Sequence, residues 1–421
     1  MYFPKSRLFD RRDFERRLRD TEDHVALFRE AIHNGRQVLR KQHESGASSP
    51  TIVARHAWLI DRVLHYAWRL HADALGDARV ALVAVGGYGR AELHPWSDID
   101  LMILLEKDEY DRVRGFVEGF LSFLWDIGLE VGHSVRSLAD CVKAAREDIT
   151  VATNIMEARH LEGDGELVET MRARTGPDRI WKPDDFFRAK LAEQQARHLK
   201  YDDSAYDLEP NIKEGPGGLR DLQTVIWVLK RRYGITELKQ LVDNDYLTDA
   251  EYRQLIRGRN FLWKLRIGLH YTAGRSEDRL LFDHQRVLAA EFGYRDNPNH
   301  LAVEQLMKRY YRTVKDLRLL NEILLQHYEE ENSSRRASRV RIINERFQSY
   351  GGYLETRHER VFREHPSAIL ELFLLLQKHS SLKGVRAGTI RQLRASLHLI
   401  DNRFRGDPHC KELFMQIMRQ P

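Results

Sequence analysis

Two aspartates separated by one residue lie inside an apolar stretch of the chain. Asp98 and Asp100 belong to the string SDIDLMILL, whose apolar residues on both faces predict a central β-strand. Side chains two residues apart on a strand point to the same face, with backbone positions about 6–7 Å apart. Two such carboxylates repel each other, and burial raises the cost of ionising both. A divalent cation such as Mg²⁺, which prefers hard oxygen ligands, would remove that conflict.

A glycine-rich segment, GGYGR, precedes the aspartates and follows another apolar string, ARVALVAV. Glycines let the backbone approach a ligand closely, and the exposed N–H groups can hold phosphate oxygens. Arg90 adds a guanidinium that suits the same phosphates. We therefore predict a metal–triphosphate site in which Asp98 and Asp100 hold the metal and are catalytic. The predicted nucleotide-binding residues of this segment are Gly86, Gly87, Tyr88, Gly89, Arg90 and Ser97.

Alone, each half of this pattern has a simpler interpretation. A single D-x-D is usually a solvated turn or a capped strand end, and GGYG alone could be a tight turn. The combination of an apolar strand, two glycines, a loop and a D-x-D within a second apolar strand favours the nucleotide site.

A second glycine-rich string, EPNIKEGPGGLRD, lies in a half of the chain that otherwise has helical periodicity. It offers Lys213 and Arg220 beside a helix N-terminus, where an anion is favoured. The alternative is a connection between two helices with Asp221 near the helix cap.

A third string, FLWKLRIGLHYTAGRSEDRLLFDHQ, carries several polar side chains on a helical pattern. Arg266 and His270 are four residues apart and share a helix face. A polar seam between helices is as good an interpretation as substrate contact, so we assign no catalytic role here. The other polar residues of the string are Arg275, Asp278, Arg279 and Gln285.

The elements that must position these residues follow from periodicity. Helical spacing runs from Phe14 to Leu75, with a loop near Ser45 to Pro50. Three strands are predicted: ARVALVAV, DIDLMILL and LEVGHSVRS. After Leu138 almost everything reads as helical. The polar, basic segment at 330–341 is either a domain boundary or an exposed helix end.

Composition limits the classes of function. The chain of 421 residues has two cysteines far apart, which argues for a reducing compartment. It has no apolar run long enough to cross a bilayer and no signal peptide at its start, so we expect a cytoplasmic protein with no membrane partner. The net charge of +5 is mild for this length. It suits a nucleotide or an acidic partner and argues against nucleic acid.

The string GGYGRAELHPWSDIDL resembles the signature of polymerase β-type nucleotidyltransferases. More specifically, all three strings are similar to those of the bifunctional uridylyltransferase/uridylyl-removing family of nitrogen control, over about Leu82 to His327. A related form occurs in glutamine-synthetase adenylyltransferases. The resemblance implies an α+β fold: a polymerase β-type domain with a small mixed sheet, flanked by N-terminal helices and a C-terminal all-helical domain.

The family resemblance also implies a reaction. UMP would pass from UTP to a tyrosine of the PII signal protein, with Mg²⁺ or Mn²⁺ as cofactor and pyrophosphate as product. Lys213 and Arg220 would lie near the triphosphate or the incoming protein. The alternatives are protein adenylyl transfer of the glutamine-synthetase type, a small-molecule or RNA-end nucleotidyltransferase, and a catalytically inactive nucleotide-sensing module.

Two features depart from the family pattern. Polymerase β-type enzymes usually carry a third carboxylate on a neighbouring strand, but here Ser134 takes that position, followed by Arg136. Either two aspartates suffice, or Glu130 or another acid such as Glu157 completes the set, and the general base stays unassigned.

The second departure is that the sequence contains no adjacent His-Asp pair for the family's hydrolase domain and no counterpart of its glutamine-sensing repeats. We therefore expect an N-terminal fragment without uridylyl-removing activity, in which effectors such as glutamine act through missing domains. The predicted parts are N-terminal helices (1–75), a nucleotidyltransferase domain (76–180), a helical substrate- and nucleotide-binding domain (181–330), and a helical linker towards the missing hydrolase domain (331–421).

Overall fold

The computed structural model describes residues 4–201, 207–235, 237–334 and 340–419. The chain packs as two compact units. The first comprises Met1–Gln240 and Tyr252–Leu317, and the second comprises Leu241–Glu251 and Arg318–Pro421. The boundary predicted at 330–341 falls partly on residues 335–339, which lie outside the described residues. The four-part division by function stays a prediction.

Three helices open the first unit: α1 (Arg11–Asp20), α2 (His24–Glu44) and α3 (Ser49–His71). Asp10 and Asp23 cap the first two, because their carboxylates accept hydrogen bonds from backbone N–H groups of the first turn. The predicted loop between α2 and α3 is present.

A four-stranded mixed sheet follows, formed by β1 (Val80–Ala84), β2 (Ile99–Leu105), β3 (Val131–Ser137) and β4 (Arg159–Gly163). Its order is β3-β2-β1-β4, with β2 and β3 parallel and the other pairs antiparallel. The first three strands lie where the sequence predicts them. The edge strand β4 was not predicted, because its sequence RHLEG is polar.

Helices cover both faces of this sheet. On one face α1–α3 and the helix after β2 share a core with Leu82, Leu101 and Ile103. On the other face the helices after β3 and β4 pack against Val83 and Met102. The remaining helices with residues in this unit are α4 (Gly86–Gly89), α5 (Tyr110–Asp126), α6 (Leu138–Glu147), α7 (Ile149–Met156), α8 (Gly165–Thr175), α9 (Pro183–Leu199), α10 (Leu219–Tyr233), α11 (Gln240–Asp243), α12 (Asp249–Ala273), α13 (Phe282–Glu291) and α14 (Ala302–Ser334).

The second unit has a core of its own around Phe347, Leu354 and Phe362. It contains a second sheet, of order β5-β6-β7-β8, with strands β5 (Arg341–Ile342), β6 (Phe347–Tyr350), β7 (Tyr353–Thr356) and β8 (Gly384–Val385). Its helices are α15 (Val361–Glu364), α16 (Ala368–Lys378), α17 (Ala387–Ser396), α18 (Asn402–Gly406) and α19 (Pro408–Arg419). The prediction of a helical linker at 331–421 missed this sheet, because strands of two to four residues are too short to show an alternating pattern.

The α+β class is confirmed, with N-terminal helices, a small mixed sheet and a mainly helical C-terminal region. Within the described ranges, no helix combines the length and the hydrophobicity that crossing a bilayer requires.

Candidate active site

The two aspartates line one cavity of about 190 Å³ in the first unit. Asp100 is the second residue of β2 and is half-buried, whereas Asp98 precedes the strand and is exposed. The expectation that both carboxylates are buried is therefore wrong for Asp98. The reason is that strand pairing with β3 begins only at Ile99, opposite Val131.

Asp100 occupies a space that two glycines leave open. A Cβ on Gly86 would lie 3.0 Å from Oδ2 of Asp100, and a Cβ on Gly132 would lie 2.8 Å from Oδ1. Gly86 also has a φ of +58°, which favours glycine. Burial and the neighbouring charge of Asp98 raise the pKa of Asp100, and the charge of Lys213 partly opposes that shift.

The GGYG segment forms a short helical turn, and Gly86, Gly87 and Tyr88 line the cavity. The Tyr88 ring is buried, and its hydroxyl donates a hydrogen bond of 2.6 Å to Asp61. A Cβ on Gly89 would lie 2.3 Å from the carbonyl oxygen of Glu157. The Tyr88 side chain and Gly89, both predicted to bind nucleotide, therefore hold the turn in place.

Arg90 lines the cavity, but its guanidinium already has two partners. It bonds Glu92 at 2.8 Å and Glu157 at 3.3 Å. Burial alone would lower the pKa of Arg90, and the two carboxylates raise it. Glu157 also pairs with Lys230 at 3.4 Å, so its charge is compensated. It does not line the cavity.

The neighbouring strand supplies no carboxylate to the cavity. Gly132 of β3 lies opposite Asp100, and Ser134 lies opposite Met102. Neither Ser134 nor Arg136 lines the cavity, and Glu130 is exposed outside it. The acids that line it are Asp98, Asp100 and Glu92.

The second glycine-rich string brings its two cations to the same cavity. Lys213 lies 3.7 Å from Asp278, and burial followed by the charge of Arg266 lowers its pKa. Arg220 bonds Glu214 at 3.0 Å and lies over the Trp227 ring.

Asp221 does not line the cavity; it anchors this string. Its buried carboxylate accepts hydrogen bonds from the Gly217 N–H at 2.7 Å and from Gln194 at 2.8 Å, and it contacts Arg197 and His198. Burial would raise the pKa of Asp221, but His198 and Arg197 lower it. The geometry therefore supports a structural role for Asp221 near the start of α10.

The side chains of the third string form a polar cluster, which is one of the two interpretations that the spacing of Arg266 and His270 left open. Asp278 bonds Arg266 at 2.6 Å and contacts His270 at 3.5 Å. Burial would raise the pKa of Asp278, but His270, Arg266 and Lys213 lower it. Arg266 reaches the cavity, whereas the other polar residues bond outside it: Arg275 to Glu277, Arg279 to the carbonyl of Glu209, and Gln285 to the carbonyls of Leu208 and Leu280.

Several lining residues were not predicted from the sequence. Trp263 lies in the third string, so that string could have indicated it, whereas Trp227 lies on the helix that follows the second glycine-rich string. Asn154 carries no local signal, because α7 brings it to the cavity from a segment without a motif. The lining residues that sequence reasoning missed include Glu92, His94, Asn154, Gln223, Trp227, Trp263 and Ser276.

The donor set of the cavity suits a hard divalent cation. Magnesium is commonly held by one or two carboxylates together with substrate phosphates. Among the described residues no group of three or more His, Cys, Asp or Glu side chains could hold a metal ion. An ion held by Asp98 and Asp100 would therefore take its other ligands from a nucleotide or from water.

Comparison with known families places the acids and the cations of the cavity in different domains. A nucleotidyltransferase domain model matches residues 71–151, which include the aspartates. The GlnD PII-uridylyltransferase model matches residues 185–325, which include Lys213 and Arg220, and the uridylyltransferase GlnD third domain matches residues 347–421. The chain belongs to the PII-uridylyltransferase family.

Curated relatives agree with this family. A bifunctional uridylyltransferase/uridylyl-removing enzyme of Nitrosococcus oceani is 49% identical over 418 residues, covering 99% of this chain and 47% of the relative. Relatives of the same name in Pseudomonas aeruginosa and Azotobacter vinelandii are each 46% identical, over 98% of this chain and 46% of their own length. The chain spans about half the length of the curated relatives it matches.

Proposed function

We propose that this chain transfers UMP from UTP to a tyrosine of the PII signal protein and releases pyrophosphate. The observation that carries the proposal is one cavity lined by the acidic pair of the nucleotidyltransferase domain and by the cations of the uridylyltransferase domain. The names of the curated relatives support the choice of uridylyl transfer.

The chain's own residues would act mainly by positioning. Lys213, Arg220 and Arg266 bind the triphosphate, and Gly86 and Gly87 let it approach the backbone. The tyrosine oxygen forms a bond to the α-phosphorus while the bond from that phosphorus to the α,β-bridging oxygen breaks. Pyrophosphate leaves, and the hydroxyl proton passes to solvent. Magnesium or manganese, held by Asp98 and Asp100, would neutralise charge on the attacking and leaving oxygens.

The test is incubation with PII, magnesium and α-labelled UTP, followed by mapping of the label. We expect the label on a tyrosine, and no label with the double variant Asp98→Ala, Asp100→Ala. Full transfer by that variant would show that the reaction occurs elsewhere.

A second candidate is a nucleotide-sensing module without chemistry. It is favoured by β3, which presents Gly132 and Ser134 where a third carboxylate would stand. Saturable UTP binding without any labelled protein would support it. The third candidate, adenylyl transfer, predicts label from α-labelled ATP instead.

The names of the relatives include uridylyl removal. We propose that the residues of this chain do not supply that activity, because the sequence has no adjacent His-Asp pair. Release of UMP from uridylylated PII by this chain would contradict that statement.

A further inference from the structure

A second cavity in the first unit borders the segment that carries Asp98. It encloses about 130 Å³ and shares no lining residue with the candidate active site. Pro95 and Trp96 line this second cavity, whereas His94 and Ser97 on either side of them line the first. One short segment therefore faces both cavities.

Arg36 of α2 presents an uncompensated positive charge to the second cavity. Its side chain is half-buried and forms no ion pair or hydrogen bond within the described part of the chain. Glu130 acts on it only at longer range. His56, which also lines the cavity, adds no charge, because burial lowers its pKa to about 3. A half-buried guanidinium without a partner is destabilising, and a bound anion would offset that cost.

Gln37 and Arg40 also line the cavity, and Arg40 is paired with Glu44 at 3.1 Å. The other walls are mainly aromatic and apolar. The Arg36 guanidinium carbon lies 5.9 Å from the centroid of the Trp96 ring. Trp96 is 41% exposed and has a φ of +58°, a conformation that bulky residues rarely adopt and that clusters at functional sites. Tyr271 keeps its proton, because burial raises its pKa to about 12. Leu39 and Ile52 complete the apolar lining.

We propose that this cavity binds a small monocarboxylate with a flat apolar body, its carboxylate on Arg36 and its body against Trp96 and Tyr271. The volume is close to that of apolar cavities of about 150 Å³ that admit benzene. Because Trp96 directly precedes Ser97 and Asp98, an occupant fixes the position of the catalytic segment and so regulates the reaction. This regulatory step rests on the proposed function, whereas binding does not.

The test of binding uses benzoate as the probe and benzamide as its neutral isostere, titrated calorimetrically into the full chain. We expect saturable benzoate binding, at least tenfold tighter than benzamide. Arg36→Gln should weaken benzoate binding at least tenfold, and Arg36→Lys should weaken it less, because lysine keeps the charge without the planar fork. Lys41→Gln, an equal charge change on the exposed side of the same helix, should leave binding unchanged.

Four results would overturn the site: no saturable benzoate binding, equal binding by benzamide, equal binding by Arg36→Gln, or displacement of benzoate by UTP. Inorganic phosphate binding as tightly as benzoate would overturn the carboxylate assignment. If Arg36→Gln does not fold, benzoate binding by Arg36→Lys and the comparison of benzoate with benzamide test the site instead.

The regulatory step is tested on label transfer to PII. Saturating benzoate should change kcat in the unsubstituted chain and not in Arg36→Gln. An unchanged kcat with binding intact would overturn regulation alone. A chain that binds benzoate but transfers no label would leave the site standing and contradict only the proposed function.

Discussion

At the scale of single residues, one carboxylate that lines the first cavity, Asp100, and one beside its cations, Asp278, have opposite pKa shifts. Asp100 is held with a raised pKa by burial and by Asp98, so its ionised form is disfavoured until a cation is present. Asp278 is held ionised by Arg266, His270 and Lys213. The first carboxylate is the one that we propose binds the cation, and the second forms ion pairs within the protein.

Asp100→Asn should separate activity from stability. Since the folded-state pKa of Asp100 is raised, its ionised form destabilises the fold. That penalty is absent below the unfolded pKa of about 3.9 and grows as the pH rises through the folded pKa. At pH 7 the free energy of unfolding should be unchanged or higher in the variant, while label transfer falls roughly 10³-fold. Asp108→Asn, in the exposed segment after β2, is the control and should change neither quantity.

Asp278→Asn should instead lower the free energy of unfolding. Because the folded-state pKa of Asp278 is lowered, its stabilising contribution is present above the unfolded pKa and is lost as the pH falls. The variant leaves three cationic or polar partners unmatched, and urea denaturation at pH 7 should show a loss of about 3 kcal/mol. The exposed pair of Asp283 with Arg286 provides the control: Asp283→Asn should cost less than about 0.5 kcal/mol. Equal losses in the two variants would contradict this account.

At the scale of elements, the helical turn α4 connects the sheet to the cavity. A side chain at Gly89 would meet the backbone, whereas a side chain at Gly86 would meet the Asp100 carboxylate. Gly89→Ala should cost about 2–3 kcal/mol of stability, since its Cβ would meet a backbone carbonyl at 2.3 Å. Gly86→Ala should abolish label transfer, because it displaces the Asp100 carboxylate. Gly115→Ala in α5, with open space around it, should stabilise the chain by about 1 kcal/mol. Denaturation measures the predicted stability changes of Gly89→Ala and Gly115→Ala, and the transfer assay measures the predicted loss in Gly86→Ala. Label transfer by Gly86→Ala would contradict the role given to Gly86.

Local patterns were sufficient for the elements that carry the aspartates. The strands β1 and β2 are continuous apolar runs, and the glycines between them could be recognised without knowledge of the fold. The contacts of Arg90 with Glu157 and of Tyr88 with Asp61 could not be predicted, because these partners lie 67 and 27 residues away in the chain. The exposure of Asp98 depends on where pairing with β3 begins, and no local pattern marks that point.

At the scale of the whole molecule, the second unit has a core of its own, and every residue of the first cavity belongs to the first unit. Phe347→Ala in the second core should lower its stability by about 3–5 kcal/mol. UTP affinity should stay unchanged, as measured by titration, while hydrogen exchange shows faster opening of β6 and β7. Phe28→Ala, an equally buried phenylalanine in the first unit, is the matched variant and should speed exchange in that unit. A large loss of UTP affinity in Phe347→Ala would show that the two cores are coupled.

In the reaction that we propose, Asp98 and Asp100 share one divalent cation with the triphosphate of UTP. The most direct measurement is a crystal structure with manganese and a non-hydrolysable UTP analogue, using anomalous scattering to locate the metal. We predict a manganese peak at both carboxylates, with the triphosphate extending to Lys213 and Arg220. An empty cavity, or manganese bound elsewhere while both aspartates face bulk water, would contradict the account.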